Sequence, residues 1–245
     1  MKTRFFLFAA LLLTSFAIKA QMFTAINLMT PHYYPGEIYF TDGHHEEFAE
    51  IELPQSGKSK LGVKKNVDDK KYTDIMAIDI IGIRIWHKDF PDKPHTLYYV
   101  HAKKTMMQSE HQWGYPVVGS AWGVVFQCEK YYQIDMKTGE MDIVKFVGGT
   151  SPDTPTIYYL VRKEWELAEL VLWNGSFNYI KNKVAGLFAE NKDIATAIKK
   201  GKLKGSDMQY ILDEMAGGKK AAEPIMIIPE VKTDSVTNGV VGDDE

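Results

Sequence analysis

An α+β fold is predicted for this chain: an antiparallel β domain followed by a small C-terminal helical unit. Three observations predict it. Between Gly36 and about Leu172, short runs of β-branched and aromatic residues alternate with Gly, Pro and Asp-Gly punctuation, the pattern of several short strands joined by tight turns. From Trp173-Asn174-Gly175-Ser176 to Met215 the apolar spacing changes to intervals of three and four, which is helical. Cys128 is the sole cysteine, so no intramolecular disulfide is available and apolar burial must hold the fold together.

The N-terminal "MKTRFFLFAALLLTSFAIKAQ" is read as a signal peptide spanning residues 1–20. Lys2 and Arg4 give a positive start, Phe5 to Ile18 are almost entirely apolar, and Ala20 is small. The apolar run is shorter than the roughly 20 residues a membrane helix needs. Ile18, three residues before the cut, is larger than usual, and no cysteine follows the cut to carry a lipid. Loss of Lys2, Arg4 and Lys19 takes the formal charge from −3 to −6. A mildly acidic chain with scattered lysines is a poor match for a phosphate backbone, so nucleic acid is not an expected partner. No later segment is apolar for long enough to anchor the mature chain in a bilayer.

Residues 21–175 make up the expected β domain. "GEIYF-TDG-HHEEFAEIELP" reads as strand, turn, strand, with Pro54 ending the second because it cannot donate to a ladder. The lysine-rich "SGKSKLGVKKNVDDKKYTD" predicts an exposed hairpin or loop, and Ile75 to Trp86 a long strand. "HTLYYVHA", "AWGVVFQCEKYYQID", "MDIVKFV" and "TIYYLVRK" continue the pattern, with a second turn at Lys137-Thr138-Gly139. Residues 176–217 form the helical unit. Ile180, Val184, Leu187 and Phe188 mark its first helix, and Asn191 caps a second carrying Ile194 and Ile198. Ser206 to Gln209 fit a capping box ahead of Tyr210 to Met215. Helices this short require packing on each other or on the sheet. Residues 218–245, rich in Pro, Gly and small polar residues, predict a flexible tail, interrupted by the apolar "IMII".

This order of segments, from "GEIYFTDGHHEEFAEIELP" through "YTDIMAIDIIGIRIW" and "GVVFQCEKYYQIDMKTGE" to "VAGLFAENKDIATAIKKGKLKGSDMQYILDEM", resembles a group of uncharacterised secreted β-rich proteins of Bacteroidota with a short helical C-terminal segment. The resemblance covers most of residues 20 to 216. It implies export and the β-then-helix order, and it carries no catalytic residues. The first hairpin with "DIMAIDI" is also similar in pattern to the opening of a small SH3-like or Sm-like barrel.

"HHEE", His44 to Glu47, is the one cluster of metal-ligating types. On a strand, His44 and Glu46 share one face and His45 and Glu47 the other, so each side offers two ligands where zinc needs three or four. The remainder would have to come from His32, His87, His95, His101 or His111, and no H-E-x-x-H is present. Cys128 shares a strand face with Val124 and Phe126 and reads as an inert core thiol. Nucleophile-elbow, P-loop and dinucleotide glycine motifs are missing. Asn174-Gly175-Ser176 reads as the turn from sheet to helix, although it matches a glycosylation acceptor. Asp234-Ser235-Val236 is similar to the short O-glycosylation acceptor of Bacteroidota.

"HQWGYPVVGSAWG" places Trp113, Tyr115 and Trp122 in an expected loop. There they either form a stacking platform for a sugar or a protein partner, or fold back over the sheet as Trp usually does. These residues lead to an exported, non-catalytic envelope or secreted protein that binds a protein or a glycan, works in the periplasm or at the outer membrane, and needs no cofactor. The alternatives are a metal-assisted hydrolase using the His44–Glu47 hairpin and a purely structural envelope component.

Overall fold

The computed structural model describes residues 31–55, 57–103, 109–128, 132–143, 157–162, 165, 167–173 and 177–218. Residues 1–30, 174–176 and 219–245, where the sequence predicts a leader, a turn and a flexible tail, lie outside them. Twelve strands and three α-helices follow in order: β1 Tyr33–Phe40, β2 His45–Glu52, β3 Lys60–Lys64, β4 Thr73–Met76, β5 Ile80–His87, β6 Phe90–Lys103, β7 Ser109–Gly119, β8 Val124–Cys128, β9 Tyr132–Ile134, β10 Met141–Ile143, β11 Ile157–Val161, β12 Glu169–Trp173, α1 Phe177–Leu187, α2 Lys192–Lys199 and α3 Met208–Met215. Ten strands form one sheet in the order β12-β11-β8-β7-β6-β5-β1-β2-β3-β4, every neighbour antiparallel, while β9 and β10 make a separate ribbon. This is the expected α+β arrangement. β1 to β5 belong to this open sheet and do not close a small barrel of their own.

The turns follow the sequence. Gly43 (φ 93°) and Gly139 (φ 73°) occupy the left-handed region that a side chain disfavours, which is why Asp-Gly and Thr-Gly reverse the chain there. Elsewhere the structure departs from the expected elements. The run from Ile75 to Trp86 is not one strand. A 3-10 turn at Ala77–Asp79 carries the chain from β4, at the sheet edge, to β5, near its middle. β-Branched content is the same on both sides of that turn, so composition does not reveal it. The lysine-rich segment is the β3–β4 hairpin, and it buries Leu61 and Val63. The third helix is preceded by a 3-10 turn, Gly205–Asp207, and the Asp207 carboxylate accepts from the Lys204 N–H at 2.7 Å. Ser206, the expected cap, is exposed. Asn191 does cap α2, accepting from the N–H groups of Asp193 (3.1 Å) and Ile194 (3.2 Å).

Alternation along β6 explains how one sheet holds more than one core. Leu97 faces a cluster with Ile38, Ile51, Leu61, Val63, Ile83, Ile85, Trp113 and Ile134, which draws on strands far apart in the sheet order. The sheet must therefore curl around it. Tyr98, Val100 and Ala102 point the other way, into a cluster with Val124, Phe126, Cys128, Tyr159 and Ala168. Here the sheet curls in the opposite sense, until Ala168 meets Ala102 through a single parallel bridge, with Ala168 N–H donating to the His101 carbonyl at 2.8 Å. On the outside of this second curl, Val125, Leu160 and Val171 receive the helices through Val184, Phe188, Ile194, Ile198, Ile211 and Leu212. The Ser120 hydroxyl donates to the Leu212 carbonyl at 2.9 Å and the Gln209 amide to the Gly119 carbonyl at 3.0 Å, pinning α3 to the end of β7. Among the described residues no helix is long and apolar enough to cross a membrane.

Candidate functional site

The histidine-glutamate hairpin is a set of local pairs. His44 Nδ1–H donates to the Asp42 carboxylate, its ring stacks on Phe40 at 4.2 Å, and its Nε2 lies 3.7 Å from Glu46. The His44 backbone N–H and ring together hold the Asp42 carboxyl below its ordinary range. His45 stacks on Tyr39 at 5.6 Å, on the other face. Glu46 takes the Lys65 ammonium at 2.8 Å, which lowers its carboxyl as well. Glu47 stands opposite Glu37 on β1. Among the described residues, no group of three or more His, Cys, Asp or Glu side chains is placed to hold a metal ion. Cys128 is buried and is in no disulfide.

The three loop aromatics do not form a platform. Residues 109–119 are strand β7, so Trp113 and Tyr115 are fixed to one sheet face by alternation and directed into the first core. Trp113 is fully buried, and its indole N–H donates to the Lys58 carbonyl at 2.9 Å, which brings the β2–β3 loop over it. Tyr115 packs against the same cluster, its hydroxyl 3.5 Å from His95 Nδ1. Trp122 lies in the second half of the sheet with the helices. It stacks on Phe188 at 5.2 Å, lies edge-on to Trp165 at 6.2 Å, and is covered by the Arg162 guanidinium at 4.2 Å. Its N–H and Arg162 Nη1 both donate to Glu190, at 3.3 and 2.7 Å, and these bonds hold that carboxyl low.

The structure opens instead at the seam of the second curl. A cleft of about 330 Å³ is lined by Thr41, Ile78, Ile80 and Ile81 on one side and by Tyr98, Tyr99, Val100, His101, His111, Phe126, Val161, Trp165 and Ala168 on the other. Thr41 N–H donates to the Asp79 carbonyl at 3.0 Å, fastening the first hairpin turn to the 3-10 turn that carries Ile78. Opposite, the β6–β7 register pairs Tyr99 with Trp113 and His101 with His111. The two imidazoles stack at 4.1 Å and 7°, and Tyr99 continues the stack over His111 at 5.1 Å. Partial burial, then the charge His101 would carry, lowers the His111 pKa from its ordinary value. Burial pushes the Tyr98 phenol up to about 12, and Tyr98 meets Phe126 edge-on at 5.3 Å.

Among the described residues, no Asp, Glu, Lys or Arg lines the cleft. Ile78, 54% exposed, belongs to its wall, and Met76, 44% exposed, is two residues away. A second groove of similar volume runs between the outer sheet face and α3, lined by Val117, Val118, Val125, Tyr158 and Met208 with Gln127 and Gln209. Sequence reasoning named His101 and His111 only as remote zinc ligands, and did not single out Tyr99, Ile78 or Trp165. A register for the β6–β7 hairpin was the missing signal, since it places both the aromatics and the histidines face to face.

No family model, no curated protein and no solved structure matches this chain.

Proposed function

We propose that this chain is an exported protein that works by binding a protein or a glycan and not by catalysis, and that the seam cleft is its binding site. The observation that carries the reading is the cleft: a concave, aromatic-walled opening of about 330 Å³. Such openings, apolar with a few convergent polar groups, are where proteins take ligands and anchor residues. The leader at residues 1–20 supports export to the envelope or beyond.

The test is cross-linking in intact cells, with the chain expressed behind its own leader, fractionation, and mass spectrometry of what is recovered. Ile78→Asp serves as the comparison, because it puts a charge on the exposed cleft wall. An envelope partner recovered with the wild-type chain and lost with the variant supports the reading. Equal recovery from both chains sinks the cleft as the site, and recovery in the cytosol sinks export.

A further inference from the structure

The two ends of the ten-stranded sheet differ in what they leave open. The β12 end is met by β6 at the seam, where Ala168 bridges Ala102. β4, at the other end, has a neighbour on one side only among the described residues, β3. The strand stands in water: Thr73, Asp74 and Met76 are exposed, and Ile75 is half-buried against the first core. Proteins commonly blunt such an edge with charges or proline, because its outward N–H and C=O groups are a template for another strand. β4 holds no proline, and its one charge, Asp74, already sits 3.8 Å from Lys60 of β3.

The phase of the ladder fixes which groups face outward. Lys60 pairs with Met76, so the same register sets Ser59 against Ala77, and the Ala77 N–H donates to the Ser59 carbonyl at 2.9 Å. Bonded and non-bonded pairs alternate along an antiparallel ladder. Thr73 and Ile75 therefore direct their backbone groups at β3, while Asp74 and Met76 turn theirs away from it. A second β4 running antiparallel can bond only through this outward set. Of the registers with most overlap, one sets Asp74 against Asp74 of the second copy, and like charges directly opposite destabilise. The other puts Ile75 on the two-fold axis and Asp74 opposite Met76 in both directions. The exposed row then runs from Lys60 over Met76 to Asp74 of the second copy, and symmetry repeats it. Cation and anion are thereby matched across the contact, and the two Ile75 positions meet on the other face.

We propose that this chain self-associates as a two-fold dimer through β4, with the Asp74–Met76 pair formed twice and each pair exchanging both N–H···O bonds. The contact goes beyond the cleft reading and needs no occupant in the cleft.

Sedimentation velocity of the full-length exported chain, loaded from about 5 to about 500 μM, tests it. A monomer–dimer equilibrium is expected, with a Kd on the order of 100 μM because the contact is smaller than a stable interface. Met76 has φ −72°, which proline adopts, and its N–H points away from β3. Met76→Pro is therefore expected to keep the wild-type Tm in dilute solution and to weaken the dimer at least about tenfold. Asp74→Lys and Lys60→Glu are each expected to weaken it about threefold, and an equimolar mixture of the two to restore it, since each copy offers the charge the other lacks. The Asp74 and Met76 amides of the wild-type chain are expected to gain protection from hydrogen exchange as concentration rises, with Ile75 protected throughout. A chain that stays monomeric over the whole range overturns the proposal. So does a dimer that Met76→Pro leaves intact, which puts the contact on another face. If Met76→Pro does not fold, the charge reversals decide, and a mixture no tighter than the single variants overturns the proposal as well.

Discussion

The two curls of the sheet are built from the same kinds of residue and end differently. Around Trp113 the first curl is filled. The β2–β3 loop closes over the indole, and the Tyr132 hydroxyl, carried by the β9–β10 ribbon, reaches the Trp113 and Gln127 carbonyls at 2.8 and 3.0 Å. Around Tyr98 and Phe126 the second curl stays open: its edges meet through the single bridge between Ala102 and Ala168 and the Lys103–Glu169 ion pair at 3.2 Å. Aromatic content does not decide which becomes core and which becomes a site. The presence of a segment laid over the ring does. The strongest break of this contrast is Trp113→Ala, expected to cost about 3–5 kcal/mol by the cavity and the orphaned Lys58 carbonyl. Trp165→Ala, at the half-buried cleft wall, is expected to cost about 1–2 kcal/mol. Urea unfolding of both variants decides it, and equal losses would mean the second curl is packed as tightly as the first.

A second difference shows at alkaline pH. Tyr98, inside the second curl, titrates at about 12, chiefly because burial disfavours the phenolate. The unfolded phenol ionises near 10. The folded chain therefore holds its proton where the unfolded chain has lost it, so stability is intact below pH 10 and falls as pH rises towards 12. Tyr98→Phe is expected to remove part of that slope, up to about 2 kcal/mol across the window. Urea midpoints at pH 9, 10.5 and 11.5 measure it. A variant as steep as the wild type would mean that Tyr98 is hydrated and the curl more open than its packing indicates.

The helices brace the second curl from behind and have no counterpart on the first among the described residues. Asn191→Ala removes the acceptor for two N–H groups of α2 and is expected to cost about 1 kcal/mol. If the loss also shifts the methyl resonances of Val125 and Leu160, the brace is transmitted to the sheet. If the loss stays confined to helical CD, the helices are an appendage with independent stability.

These contrasts also mark what the sequence could tell. Alternation, Asp-Gly turns and the change of period at Trp173 carry the β-then-helix order, because each is a local property of a few residues. Asn191 was legible as a cap for the same reason. The break at Ala77–Asp79 was not, since it depends on where β4 and β5 sit in the sheet. The burial of Trp113 depends on a loop some 55 residues earlier in the chain. The cleft was the least legible feature. Tyr99, His101 and His111 become neighbours through the β6–β7 register, while Ile78 and Trp165 join them through the curl. Long-range pairing of that kind leaves no mark on the spacing of residues along the chain.

The smallest expected effect bears most directly on the cleft. His101 and His111 face each other across β6 and β7, and His111 has two reasons to stay neutral: partial burial first, the neighbouring imidazole second. Its folded pKa lies below the unfolded value, so any stability it contributes is present above pH 6.5 and is lost as pH falls through the folded value. An NMR titration of the ring protons is expected to place the His111 midpoint below 6.5. His101→Gln separates the two causes, since it removes the like charge and keeps the strand pair. Because burial is the larger cause, the midpoint should rise only part of the way towards 6.5. A full return would mean that the His111 ring is already hydrated, and a hydrated ring cannot wall an apolar cleft. A midpoint that stays low in the variant means that burial alone holds the His111 ring neutral, as expected of a ring kept from water.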